Sequence, residues 1–135
     1  MKPLKKIMII DDDEVSNFIF TKLIEISGFA KNIISFEKAG DALAHLRSYS
    51  SKSEEIPEVI FLDLLLFDMN GWEFLNNFES LPPAVKEKIH VVILTTSIYD
   101  SDREKAAKYP SVKKFLVKPI TLEGLNELRE TLNTK

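Results

Sequence analysis

Acidic, hydroxyl and amino side chains stand directly after apolar runs at four places in this chain, and together they could carry phosphoryl chemistry. Asp11, Asp12 and Asp13 follow IMII, Asp63 follows VIFL, Thr95, Thr96 and Ser97 follow VVIL, and Lys118 follows FLV. If brought to one place, the carboxylates would repel one another, and a hard divalent cation with oxygen ligands relieves such repulsion. Mg²⁺ is the natural occupant. One carboxylate must remain available as a nucleophile, and an aspartate can accept a phosphoryl group to give an aspartyl phosphate. The metal, a lysine and a hydroxyl would then stabilise the charge that spreads over the phosphoryl oxygens.

Taken singly, these residues have plainer readings. An acid after a strand commonly caps the next helix, which suits Asp13. Thr95 reads as a strand-end hydroxyl and Lys118 as a surface charge. Asp63 resists this treatment because it interrupts VIFLDLLLF, and a carboxylate among apolar residues is costly to bury without a partner. The conjunction is what points to a site, since independent accidents would not end the strands in this complementary set.

The elements that must position these residues follow from the hydrophobic pattern. The runs at 7–10, 59–62, 91–94 and 115–117 are continuous where a half-exposed strand would alternate, as in parallel strands buried on both faces. A weaker candidate, NIISF at 32–36, makes a fifth strand. Between the strands the period becomes helical. Val15, Phe18, Ile19, Leu23 and Ile26 form one face of the first helix, which Gly28 stops. Ala39, Ala42, Leu43 and Leu46 mark a second; Phe74, Leu75 and Phe78 mark a third, behind Asn70 as cap with Glu73 three residues on. Ser101 and Glu104 have capping-box spacing for a fourth, which should pack loosely because only Ala106, Ala107 and Tyr109 offer it an apolar side. The last carries Leu122, Leu125, Leu128 and Leu132, capped by Thr121. Segments 49–57 and 80–88 read as polar loops. The expectation is an α/β fold, a five-stranded parallel sheet flanked by five helices. Ligands in such sheets sit beyond the carboxyl ends of the strands, where the polar residues are.

Composition narrows the function classes. A length of 135 residues suits a single domain, and 44% hydrophobic with 29% charged residues excludes a disordered or membrane chain. Net charge is −3 with Lys and Arg scattered, so no nucleic-acid footprint is present. The absence of cysteine excludes disulfides and thiol chemistry. The apolar run of MKPLKKIMII ends at DDDE, too short for a signal peptide. A cytoplasmic protein without a membrane segment is expected.

The segments MIIDDDE, VIFLDLLLFDMNGWEFL, VVILTTS and KKFLVKPI resemble the signature segments of bacterial response-regulator receiver domains of two-component signalling, in particular the single-domain, chemotaxis-regulator-like kind. The likeness spans essentially the whole chain. It implies a (βα)5, flavodoxin-like receiver over residues 1–135 with no output domain. It also implies Mg²⁺-dependent transfer of a phosphoryl group from a phosphohistidine. The partners would be a sensor histidine kinase or a histidine phosphotransfer protein, and a downstream protein target of unknown identity. No enzyme activity beyond the protein's own aspartyl phosphorylation and dephosphorylation is implied. Residue by residue, Asp63 would be the phosphoacceptor, Asp12 a direct Mg²⁺ ligand and Asp11 an acidic partner acting largely through water, with the backbone carbonyl of Leu65 completing the metal's protein ligands. Thr95 would bond a phosphoryl oxygen and Lys118 would pair with the phosphoryl group. Pro119 implies a cis Lys–Pro bond. Phe115 would be the aromatic that moves inward with the threonine, so that the surface of helix four and strand five changes.

Three positions depart from that pattern. Phe67 stands where proline is common, Leu65 where a polar residue is common, and Thr96 where a small residue is usual. Bulk at Leu65 and Thr96 implies poor access of water to the aspartyl phosphate and a long-lived phosphorylated state. A haloacid-dehalogenase-like phosphatase would need an Asp-x-Asp-x-Thr nucleophile motif, and Asp11-Asp-Asp-Glu-Val15 lacks the threonine. A flavodoxin-like electron carrier would need a phosphate-cradling loop where DDDE stands. A pseudo-receiver that binds partners constitutively would have no need of the intact acceptor set. His45 and His90 read as surface histidines, and Trp72 as a core residue or a partner contact.

Overall fold

The computed structural model describes residues 3–49, 55–66, 68–96 and 98–133. Its elements in chain order are β1 (Leu4–Ile10), α1 (Glu14–Ser27), β2 (Ala30–Phe36), α2 (Ala39–Arg47), β3 (Val59–Leu62), α3 (Gly71–Glu79), α4 (Pro83–Lys86), β4 (His90–Thr95), α5 (Asp100–Ala106), β5 (Val112–Val117) and α6 (Leu122–Asn133). The strands form one parallel sheet in the order β2-β1-β3-β4-β5. This is the doubly wound arrangement in which the strand order reverses at β1 and β3, opening a crevice at their carboxyl ends.

The continuous apolar runs are explained by cover on both faces. Alternate residues of β1 point opposite ways: Met8 and Ile10 join one core with Leu43, Leu46, Phe74 and Phe78 of α2 and α3. Ile7 and Ile9 join the other with Phe20 and Ile24 of α1 and Leu125 and Leu128 of α6. Backbone hydrogen bonds continue one residue past the strands: Asp11 N–H donates to Phe36 O at 3.0 Å and Asp63 N–H to Ile10 O at 3.0 Å. The ladder therefore sets two acids side by side before any side chain acts.

Several helix boundaries match the expectations. Asp13 caps α1 through Val15 N–H and Ser16 N–H, and Gly28 ends it in the left-handed conformation at φ 66°. Asn70 accepts from Glu73 N–H at 2.9 Å, and Thr121 from Gly124 N–H at 3.0 Å. Three expectations are corrected. Segment 80–88 contains the one-turn helix α4, begun by Pro82-Pro83, so among the described residues six helices accompany the sheet where five were expected. Helix α5 starts after Tyr99 with no side-chain cap, placing Ser101 in its first turn and leaving the capping box unmade. The third concerns α1, of whose expected core face only Leu23 packs against the core: Val15, Phe18, Ile19 and Ile26 are 68%, 63%, 54% and 71% exposed. The buried ridge is Phe20 and Ile24, with the Phe20 ring edge-on to Phe61 at 4.8 Å. Seven of the fourteen residues of α1 are apolar and they spread over a wide arc, so its pattern permits two faces; the bonds of its first turn to the end of β1 select the narrower one.

Helix α2 begins at Lys38, whose side chain makes no cap. The missing acceptor comes from the loop after β3: Asp68 Oδ1 takes Ala39 N–H at 3.1 Å and Oδ2 takes Gly40 N–H at 2.8 Å. Burial works to raise the Asp68 pKa, but hydrogen bonds from the Gly40, Ala39, Asp68 and Met69 amides outweigh it and leave the carboxyl below its ordinary value. A lowered pKa means that this cap stabilises the fold above the usual carboxylate range and loses that effect as pH falls through the lowered value. Asp68→Ala is expected to cost about 1 kcal/mol at pH 7. In urea titrations the gap from wild type should close as pH falls below about 4; a gap that does not depend on pH would show that the charge is irrelevant to the cap.

Candidate functional site

The carboxyl ends of β1, β3, β4 and β5 meet at one rim. Asp11 and Asp63 are 4% and 8% exposed and Thr95 is fully buried, so the charged pair cannot be left to water. Lys118 reaches back from the end of β5 and places Nζ on both acids, at 3.1 Å from Asp63 Oδ2 and in closer contact with Asp11 Oδ2. Its backbone is fixed by an N–H bond of 2.7 Å to Thr95 O and precedes a cis peptide to Pro119, as expected. Asp11 Oδ1 accepts Asp13 N–H at 3.0 Å and its Oδ2 accepts the Ser16 hydroxyl at 3.3 Å. Asp63 Oδ1 accepts Leu65 N–H at 3.1 Å. Two carboxylates with a shared ammonium between them form a charged crevice at the reversal point of the sheet.

The chain matches the family described as response regulator receiver domain over residues 7–130. It belongs to that family. The receiver is similar to a two component response regulator from Cytophaga hutchinsonii, with 28% identity and a TM-score of 0.87 over 98% of this chain and 99% of that one. It is also similar to a response regulator receiver protein from Dyadobacter fermentans DSM 18053, with 33% identity and a TM-score of 0.83 over 95% and 94% of the two chains. Among curated proteins, the hybrid signal transduction histidine kinase D of Dictyostelium discoideum is 30% identical over 105 residues, which are 76% of the receiver and 6% of that kinase.

The receiver's electrostatics centre on Lys118. Burial pulls its pKa down, but the hydrogen bond to Asp11, the charges of Asp63 and Asp11 and the hydrogen bond to Asp63 outweigh that and raise it above the ordinary lysine value. The pairing therefore stabilises the fold throughout the neutral range and is lost only as pH climbs through the raised pKa. Among the described residues no three acids or histidines converge closely enough to cage a cation by themselves. The donor chemistry nevertheless fits Mg²⁺, which keeps several waters and needs only one or two carboxylates. Asp11 and Asp63 already share a cation at this rim, in the form of the Lys118 ammonium.

The expected residues are distributed unevenly. Asp11, Asp63 and Lys118 are in direct contact, and Thr95 ends the neighbouring strand. Asp12 is half-buried beside Asp11, while the side chains of Leu65, Thr96 and Pro119 are exposed. Phe115 is buried, with the Arg103 guanidinium 4.8 Å from its ring centre. Phe67 and Ser97 lie outside the described residues. His45 is half-buried at the end of α2, 2.8 Å from the Tyr49 hydroxyl, and His90 opens β4 at the opposite edge of the sheet from the rim. Trp72 is half-buried and stacks on Tyr109 at 6.0 Å.

Sequence reasoning missed Ser16 and Asn17, whose signal was two adjacent short polar residues in the first turn of the helix that follows the acids. It also missed the close fit at Gly71. A side chain there would come within 2.8 Å of the Leu64 backbone and 3.3 Å of Asp63 O, so glycine lets α3 start against the end of β3.

Lys118→Met leaves two buried carboxylates without their ammonium. Breaking a buried pair this way costs on the order of 3 kcal/mol, and denaturant unfolding at pH 7 should show a loss of that order. Adding Asp11→Asn should recover part of it by removing one of the repelling charges. Wild-type stability in the single variant would mean that the shared ammonium does not hold the rim.

Proposed function

We propose that this receiver accepts a phosphoryl group from a phosphohistidine onto Asp63 in a Mg²⁺-dependent reaction and signals by rearranging the surface of α5 and β5. The observation that carries this reading is the Lys118 ammonium shared by Asp11 and Asp63 at the sheet's carboxyl edge. Asp63 Oδ2 attacks phosphorus as the donor's N–P bond breaks and the imidazole leaves. Lys118, already on that oxygen, shifts to the incoming phosphoryl oxygens, and the Thr95 hydroxyl supplies a further donor from the end of β4. Leu65 N–H keeps the other oxygen of Asp63 in place. Asp11, Asp12, Asp63 and the Leu65 carbonyl would hold Mg²⁺, which when bound neutralises carboxylate repulsion and stabilises charge on the phosphoryl oxygens.

The change at the rim adds roughly 1.5 to 2 negative charges. That charge favours inward movement of Thr95, and Phe115 on the adjacent strand responds. The output helix is suited to move. Ala106 is the one buried residue described within α5. Its described side-chain contacts include Arg103 over Phe115, with a hydrogen bond to the Phe115 carbonyl, and Lys105 over Trp72 at 4.7 Å, contacts weaker than a packed apolar face.

A histidine-bearing donor must approach the rim, and the exposed Val15, Phe18 and Ile19 of α1 lie beside it. An apolar cleft of about 260 Å³ there is lined by Val15, Ile19, Leu23, Pro119 and Ile120 next to Lys118. This face suits a sensor histidine kinase or a histidine phosphotransfer protein, in keeping with the receiver's likeness to a segment of a hybrid histidine kinase. Among the described residues no helix is long and apolar enough to cross a membrane, and we place the reaction in the cytoplasm.

Intact mass after incubation with acetyl phosphate and Mg²⁺ should show one phosphoryl adduct on wild type, none on Asp63→Asn and none with chelator. The adduct should decay slowly once the donor is removed, and faster in Leu65→Asn. No adduct from acetyl phosphate or from a phosphohistidine donor would instead mean a constitutive binding module. The docking face is tested separately: Phe18→Glu should leave labelling by acetyl phosphate intact while slowing transfer from a phosphorylated histidine protein. Equal slowing of both would place Phe18 in the fold and not in the interface.

A further inference from the structure

The first turn of α1 carries two short polar side chains, Ser16 and Asn17, and both turn back on Asp11. Asn17 Nδ2 donates to the Asp11 carbonyl oxygen at 2.8 Å, and the Ser16 hydroxyl donates to Asp11 Oδ2 at 3.3 Å. Since Asp11 N–H is taken by Phe36 O, both backbone polar groups of Asp11 are tied down. The other half of the Asn17 amide is unaccounted for. Its Oδ1 is buried and has no hydrogen-bonding partner among the described residues. A buried amide oxygen left unpaired forfeits its hydration without return, so retaining it there calls for a partner.

The partner's place is a cavity of about 10 Å³ bordered by Asp11, Ser16, Asn17 and Asp63 on its polar side and by Phe20 and Leu94 on its apolar side. That volume takes the centre of about one water molecule, and buried waters characteristically serve otherwise unsatisfied polar groups. Apolar residues of β1, β3 and β4 also line this cavity, which puts it on the core side of the two carboxylates.

We propose that Asn17 is a positioning residue of the acceptor site: its donor half anchors Asp11, and its acceptor half holds one buried water that also donates to the Asp11–Asp63 carboxylate pair. The water fixes the spacing of the two acids from behind. It is not a nucleophile, because it lies on the side away from the incoming phosphoryl group. The inference rests on the reading above that these acids bind Mg²⁺, and it adds a residue and a solvent site to that reading. Outer partners that orient metal ligands typically contribute 10- to 100-fold to metal affinity.

The test is calorimetric titration of Mg²⁺ into wild type, Asn17→Leu and Asn17→Ser, beside a high-resolution crystal structure of each. Asn17→Leu keeps the size and removes both polar functions; Asn17→Ser is the milder change should the leucine variant fail to fold. Both should bind Mg²⁺ about 10- to 100-fold more weakly. Wild-type crystals should show a water within hydrogen-bonding distance of Asn17 Oδ1. A folded variant with wild-type Mg²⁺ affinity, or a dry cavity in wild type, overturns the proposal, since a purely structural Asn17 would change the melting temperature alone. If wild type itself takes up no Mg²⁺, the metal reading fails on its own account, and the crystallographic water decides the role of Asn17.

Discussion

The Lys118 ammonium lies between Asp11 and Asp63, and the surrounding structure is arranged around that contact. Each acid ends a central strand of a sheet whose hydrogen bonds put their backbones side by side, and each is more than nine-tenths buried. Two such charges cannot be left facing each other in a low-dielectric crevice. The cis peptide after Lys118 and the bond from its N–H to Thr95 O bring the ammonium in from the end of β5. Ammonium, carboxylates and hydroxyl therefore come from separate strands and meet only because the sheet is parallel and its order reverses at β1 and β3.

The same constraint explains how α1 is seated. Asp13 caps it, and Ser16 and Asn17 bond to Asp11, so its first turn is locked to the acid-bearing end of β1 before its apolar residues choose a face. The wider apolar stripe is consequently turned outward, next to the cleft beside Lys118. An exposed patch of this kind marks an interaction surface more often than a packing error. Site geometry and the exposed apolar face thus follow from one set of local bonds.

Helix α5 shows the opposite regime. It is capped by no side chain and held by cations over aromatic rings, where α2 and α3 bury four residues each. An element with few buried contacts has low local stability, and the proposed switch rests on that feature.

Much was legible in the sequence. Continuous apolar runs specified the central strands β1, β3 and β4 because cover on both faces leaves no polar alternation, while the edge strand β2 gave a weaker signal; strand-end acids, threonine and lysine specified the rim because that is where such sheets leave room. Caps at Asp13, Asn70 and Thr121 were local and therefore readable. The tertiary structure alone decided which face of α1 is buried, since a helix whose apolar residues spread over a wide arc permits more than one docking. It alone supplied the cap of α2 from Asp68, twenty-nine residues away from Ala39, and the need for glycine at position 71 against the Asp63–Leu64 backbone. It alone showed Lys118 shared by two acids, because a contact across 107 and 55 residues of sequence exists only once the strands are aligned.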